Sequence, residues 1–216
     1  NLIADEIKAL EHFNGHGMIK MIDHDTKYHA ILLHQAILGK SLKDLYLCDK
    51  EQVIKSYSAV VRNLLSVQSF DPKDYKNVKD WLMVFDRVSA SKLPDGVIEK
   101  AKNLSDELLK RSAQEFVLHG DLHLDNIISD GDSWVAIDPK GIVGPKEFEI
   151  ACFDFILEEE LANNQNAPQF FQERAAKLSK ELNVDMQVLT DWVFVRLVLG
   201  ACWDVECGVE ASMFLK

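Results

Sequence analysis

Apolar residues along this chain fall into two periods, and the alternation between them lays out the elements. Leu2, Ile3, Ile7, Leu10 and Phe13 recur at helical spacing with Glu6 among them, and Asn14-Gly15 predicts the stop. Residues 17–24 and 28–34 read as two strands of an antiparallel hairpin, joined through Asp23 to Lys27. The segment from Leu32 to Leu42 then runs toward a helix that Ser41 would cap. From 51 to 112 the pattern is helical. Val53, Tyr57, Val60, Val61, Leu64 and Leu65 form one stripe, and Trp81, Leu82, Phe85 and Val88 a second. After the break at Pro94-Asp95-Gly96, Ile98, Ala101, Leu104, Leu108 and Leu109 make a third. Such stripes are the core of a helical lobe.

The period then shortens. A strand ending at Leu118 is followed by a loop, the apolar pair Ile127 and Ile128, a turn at Asp130-Gly131-Asp132 and a return strand over 134–137. Gly141, Gly144 and Pro145 predict a loop over 139–147. Residues 148–161 read as a helix with Ile150, Phe153 and Leu157 inward. A polar break over 163–168 separates it from helices over 169–182 and 185–207, the last carrying Trp192, Arg196 and Trp203.

With 216 residues, 47% of them apolar and 27% charged, the chain can bury a core in one or two domains. A net charge of −11 argues against nucleic acid and against anionic membrane surfaces as partners. It suits the steering of a cationic small molecule into an acidic cleft, although solubility alone is the simpler account. No uncharged apolar run approaches the roughly 18 residues of a membrane span, and the first residues lack a signal-peptide pattern. Cys48, Cys152, Cys202 and Cys207 show no C-x-x-C spacing, and buried, reduced thiols in a cytoplasmic protein account for them. His12 and His16 flank Gly15 with no third ligand in sight, which argues against zinc.

The chemistry gathers on the short-period unit. Asp121 lies in the loop after the first strand, Asn126 closes that loop, and Asp138 comes back at the end of the return strand. One carboxylate, one neutral amide and a second carboxylate at the same end of a hairpin suit a proton acceptor beside a hard, oxygen-liganded cation such as Mg²⁺. Asp and Asn also serve turns and caps. A turn, however, does not require an acid returned by an apolar strand to the mouth of the same loop.

His119-Gly120-Asp121, then Asn126, then Asp138 resembles the catalytic and metal loops of protein-kinase-like phosphotransferases, and His123 and Gly120 bring it nearer the aminoglycoside phosphotransferase branch. The string from Ala136 to Pro145, with Asp-Pro-Lys-Gly at 138–141, is similar to the streptomycin phosphotransferase and hydroxyurea-resistance kinase family, as is the stretch from Arg196 to Gly208. The resemblance covers most of the chain. It implies an α+β, two-lobed kinase-like fold, mostly the helical large lobe, over 39–216, with a small-lobe remnant of one helix, two strands and the hinge over 1–38. The glycine-rich loop and lysine strand that such a fold places first are not among these residues, so a fragment is expected.

The same resemblance implies an enzyme that moves the γ-phosphate of ATP, with Mg²⁺, to a hydroxyl of a small molecule, with a streptomycin-like compound among the candidates. Asp121 would take the proton, His123 would touch the γ-phosphate, and Asn126 and Asp138 would hold the metal. Glu6 would pair with the nucleotide-gripping lysine. Backbone groups around Gln35 to Ile37 would meet the adenine edge, and Lys140, Asp204 and Glu206 are candidates for the substrate. The competing readings are a non-catalytic kinase-like binding module, a kinase of an unrelated metabolite, and a metal-dependent phosphohydrolase. The hydrolase would need more carboxylate or histidine ligands than the hairpin offers.

Overall fold

Helix α1, Leu2–Phe13, buries Ile7, Ala9, Leu10 and Phe13, the face its spacing predicts, and ends at Asn14 in a left-handed turn. The structure is a computed structural model that describes residues 2–46, 48–157, 160–161 and 166–209. Strands β1, Met21–Asp25, and β2, Ala30–Leu33, pair antiparallel as the expected hairpin. Between α1 and β1, Gly17 to Ile19 lies beside Ala136: the Ala136 N–H donates to Gly17 O and the Ile19 N–H to Ala136 O, both at 2.8 Å. The segment that follows α1 is therefore joined to the end of the hairpin that carries Asp138.

Strand β3, Leu38–Ser41, leads into α2, Leu42–Tyr46, where Ser41 Oγ accepts the Lys43 N–H and so caps the helix as expected. α3, Lys50–Leu65, buries Val53, Tyr57, Val60, Val61 and Leu64. Beyond it the continuous helical reading fails. Asp71-Pro72 turns the chain, β4, Lys76–Asn77, forms, and Asn77 with Asp80 makes a capping box that starts α4, Val78–Leu82. α5, Val84–Arg87, and α6, Val97–Arg111, complete this half.

β5, Phe116–Leu118, is wholly buried; β6, Ile127–Asp130, and β7, Ser133–Ala136, form the expected hairpin about the Gly131-Asp132 turn. The loop expected over 139–147 instead contains β8, Ile142–Gly144, the centre of a three-stranded sheet ordered β4-β8-β5. Glycines and proline at 141, 144 and 145 mark the ends of that strand and its close packing, not a loop. The second three-stranded sheet is ordered β3-β6-β7.

The helix expected over 148–161 also gives way. α7 spans only Lys146–Ile150, residues 151–157 run irregularly, and residues 160–161 are helical again. Tertiary bonds override the helical pattern there: Asp154 Oδ2 accepts the Leu124 N–H at 2.7 Å, and the Phe155 carbonyl accepts from Arg174. Phe153 and Leu157 are nonetheless buried. Of the polar break over 163–168, residues 163–165 lie outside the described residues, and Ala167 and Pro168 already belong to the next helix. α8, Ala167–Leu182, and α9, Met186–Glu206, follow as expected, with Pro168 in the first turn of α8 and Asp185 capping α9. α9 packs against α6, α7 and α8 through Leu189, Trp192, Val195, Val198 and Leu199. No described helix is long and apolar enough to cross a membrane. All four cysteines are free thiols; Cys202 is buried, whereas Cys48 and Cys207 are exposed, so burial does not hold for every one.

Candidate active site

Buried β5 delivers the chain to His119, Gly120 and Asp121. His119 is itself buried, with Nε2 2.7 Å from the Ile137 carbonyl and Nδ1 accepting the Asp121 N–H at 3.2 Å. Those partners assign the ring as neutral, with its proton on Nε2. Burial pushes its pKa down to about 4, against the pull of the Ile137 carbonyl, so the ring carries no charge near neutrality. His119 thus braces the loop, and its side chain ties the β5 end to the β7 end. Three more bonds complete the stitching: Lys140 N–H to His119 O at 2.7 Å, Ile137 N–H to Asn126 O at 2.9 Å, and Asn126 Nδ2 to Asp121 O at 2.8 Å.

These bonds bring Asp121, Asn126 and Asp138 together as the hairpin predicts. Asp138 is left-handed, with φ 58° directly before a proline, a conformation that costs on the order of 1–3 kcal/mol and persists only where surroundings enforce it. Lys140 Nζ lies 2.6 Å from Asp138 Oδ2 and 3.9 Å from Asp121 Oδ2. His123 Nε2 lies 3.9 Å from Asp121 Oδ2, and its Nδ1 is 4.0 Å from Asp125, a residue paired with Lys43 at 2.8 Å.

The donor set fits a magnesium ion. Asn126 donates its amide N–H₂ to Asp121 O, so its side-chain oxygen is the group that could meet a cation. Asp138 already holds a cation, the Lys140 ammonium. Two protein oxygens, with phosphate and water for the rest, is the coordination that Mg²⁺ prefers. Among the described residues no cluster of three or more His, Cys, Asp or Glu offers an all-protein cage.

Sequence reasoning missed the clamp beneath the loop. Both carboxylate oxygens of Glu149, on α7, accept the Gly120 N–H, at 3.1 and 3.2 Å. Arg196, on α9, donates to Gly120 O at 3.0 Å and lies 4.6 Å over the Phe148 ring. Gly120 has φ 87°, and a Cβ there would stand 3.1 Å from Trp81 Cη2, so only glycine fits between clamp and indole. Burial pushes the Glu149 pKa up to about 7, against the Gly120 N–H and Arg196, which both pull it down. The signal was present as a charge inside each apolar run, Phe148-Glu149-Ile150 and Val195-Arg196-Leu197.

The other expected residues lie farther out. Glu6 lines a cavity of about 360 Å³ with Asp138, Lys140 and Trp81; burial first and Asp138 second raise its pKa, and Lys140 opposes them. Gln35 and Ile37 sit between β2 and β3. The Ile37 N–H donates to Asp130 Oδ1 at 3.0 Å and its carbonyl accepts the Gly131 N–H at 3.4 Å, so its backbone is engaged by the β6–β7 turn. Glu206 is spent on a two-pronged pair with Arg87, at 2.7 and 3.1 Å, which fastens α9 to α5. Asp204 lies in the last turn of α9, next to Trp203, whose ring meets Trp81 edge-on at 5.2 Å.

Residues 2–208 match the family model described as aminoglycoside/hydroxyurea antibiotic resistance kinase. The chain belongs to that family. It is 23% identical to the streptomycin 6-kinase of Streptomyces glaucescens over 216 residues, covering 95% of this chain and 68% of that protein. To the hydroxyurea phosphotransferase of Kitasatospora aureofaciens it is 26% identical, covering 96% of this chain and 60% of the relative. Among solved structures, an amicoumacin kinase in complex with AMP-PNP, Ca²⁺ and Ami superposes with a TM-score of 0.68 at 13% identity, over 95% of this chain and 70% of that one. The fold is therefore α+β and kinase-like, and the chain is a phosphotransferase of small molecules.

Proposed function

We propose that this protein transfers the γ-phosphate of ATP to a hydroxyl group of a small molecule, with a streptomycin-like aminoglycoside as the leading acceptor. The observation that supports the reading is the hydrogen-bonded hairpin, in which Asn126 bonds the Asp121 carbonyl and the Lys140 ammonium lies 2.6 Å from Asp138 and 3.9 Å from Asp121. Asp121 accepts a hydrogen bond from the acceptor hydroxyl. As the new O–P bond forms and the bond to the β-phosphate oxygen breaks, the hydroxyl proton passes to Asp121 and ADP leaves with the bridging oxygen. Little basicity is needed, because such a loose transition state is stabilised mainly by positioning and charge neutralisation. Asp138 and Asn126 would hold the magnesium ion, which when bound would supply most of that neutralisation.

In this reading His123 reaches the transferring phosphate, since it stands 3.9 Å from Asp121. Glu6 would pair with a nucleotide-gripping lysine, as the family resemblance implies, and residues around Gln35 support the adenine. With Ile37 engaged elsewhere, its own contribution is limited to the exposed side chain, 60% accessible. Residues up to 38 act as the small-lobe part and the rest as the large lobe. A cytoplasmic setting suits four free thiols.

One feature favours a second reading, a smaller and less cationic acceptor. Beside the catalytic loop lies a cavity of about 240 Å³ walled by Phe153, Phe155, Ile156 and Phe171, with Asp154 and Arg196 as its charged members. Both of those already bond the loop backbone. Screening the full-length protein against aminoglycosides and small alcohols, with ADP release as readout, separates the two. In the same assay Asp121→Asn is expected to cut turnover by about 10³-fold or more; undiminished turnover would remove Asp121 from the mechanism.

A further inference from the structure

Lys140 lies where carboxylates converge. Its ammonium holds Asp138 at 2.6 Å, stands 3.9 Å from Asp121, and shares a cavity with Glu6. Its backbone, by contrast, is pinned. The Lys140 N–H is bonded to His119 O at 2.7 Å, Pro139 precedes it, and Gly141 follows at φ 63°, packed so closely on α1 that a Cβ would meet Ala9 Cβ at 2.9 Å. A side chain on such an anchor can exchange partners without moving the loop. A divalent ion at Asp138 would bring a second cation onto a carboxylate that Lys140 already holds through Oδ2, and two cations on one carboxylate repel. An alternative for the displaced ammonium, only 3.9 Å away, is the Asp121 side, where the acceptor hydroxyl and the incoming phosphate would meet.

We propose that Lys140 holds the metal-binding carboxylate of Asp138 in the resting enzyme and, once displaced by the metal, moves onto the phosphate oxygens beside Asp121 during transfer. The proposal rests on the phosphotransfer reading above. It makes Lys140 a catalytic residue with a resting-state role opposed to metal binding. A lysine that only stabilised the loop would not oppose the metal, so the two roles can be told apart.

The test is a titration of the full-length protein with Mn²⁺ alone, free ion being counted by electron paramagnetic resonance, alongside turnover at saturating ATP. Lys140→Met should bind Mn²⁺ about tenfold more tightly than the parent, because the competing charge is gone. Its turnover should fall about 100-fold. Lys140→Arg, which keeps the charge, should return Mn²⁺ affinity to the parental value and recover part of the turnover. Unchanged or weaker Mn²⁺ binding by a folded Lys140→Met, judged by circular dichroism, overturns the proposal. So does tighter Mn²⁺ binding with undiminished turnover. Failure of the underlying reading looks different: Asp138→Asn would then bind Mn²⁺ and Mg·ATP as the parent does.

Discussion

At the scale of single residues, the site depends on two buried titratable groups with opposite habits. His119 is held neutral, its pKa lowered to about 4, and the stability it contributes is present above pH 6.5 and lost as pH falls toward 4. Glu149 is raised to about 7, so its contribution is full below pH 4.5 and lost as pH rises through 7. Between those limits the two slopes oppose each other. Replacing Glu149 with Gln removes one of them while keeping a side-chain oxygen for the Gly120 N–H. The stability of Glu149→Gln relative to the parent should therefore climb with pH between about 4.5 and 7, by roughly 1–3 kcal/mol, in denaturant titrations. A difference flat in pH would mean that Glu149 keeps an ordinary carboxylate pKa when folded.

At the scale of elements, the parts legible in the sequence were those whose partners lie nearby in the chain. α1, the β6–β7 hairpin and α9 follow from local periodicity and caps, and the same locality made Asp121, Asn126 and Asp138 readable as one group. β8 was not legible, because its pairing with β4 and β5 involves strands some 25 to 65 residues away and its own signal is three residues long. The early end of α7 was hidden for a related reason: Asp154 and Phe155 answer to Leu124 and Arg174, contacts that no window of helical spacing contains.

The stretch just beyond that irregular segment is tied to α8 by a pair that solvent barely reaches. Arg174 donates twice to Glu160, at 2.6 and 2.7 Å, and Lys50 adds a third bond at 3.1 Å. Burial raises the Glu160 pKa, but these donors outweigh it and bring it down to about 2. Glu160→Ala would leave the Arg174 guanidinium, only 7% accessible, without its counter-charge. A loss of about 3–5 kcal/mol is expected from the shift in urea midpoint; a loss below about 1 kcal/mol would show that solvent reaches Arg174 freely.

At the scale of the molecule, the charge of −11 bears on how an acceptor arrives. If the leading acceptor is a polycation, its kcat/KM should fall as salt rises from about 0.01 to 0.15 M, where the screening length shrinks from roughly 30 to 8 Å. A neutral alcohol acceptor should show no such trend. Salt-independent kcat/KM for the polycation would reduce the acidity to a matter of solubility.

We propose a division of labour within the hairpin, in which Asp138 and Asn126 hold the metal and its nucleotide while Asp121 serves the acceptor. Calorimetric titration of Mg·ATP into the full-length protein and two variants tests it most directly. Asp121→Asn should bind Mg·ATP within about threefold of the parent, while Asp138→Ala should bind it at least about tenfold more weakly. Equal losses in both variants, or Mg·ATP binding untouched by Asp138→Ala, would contradict the account.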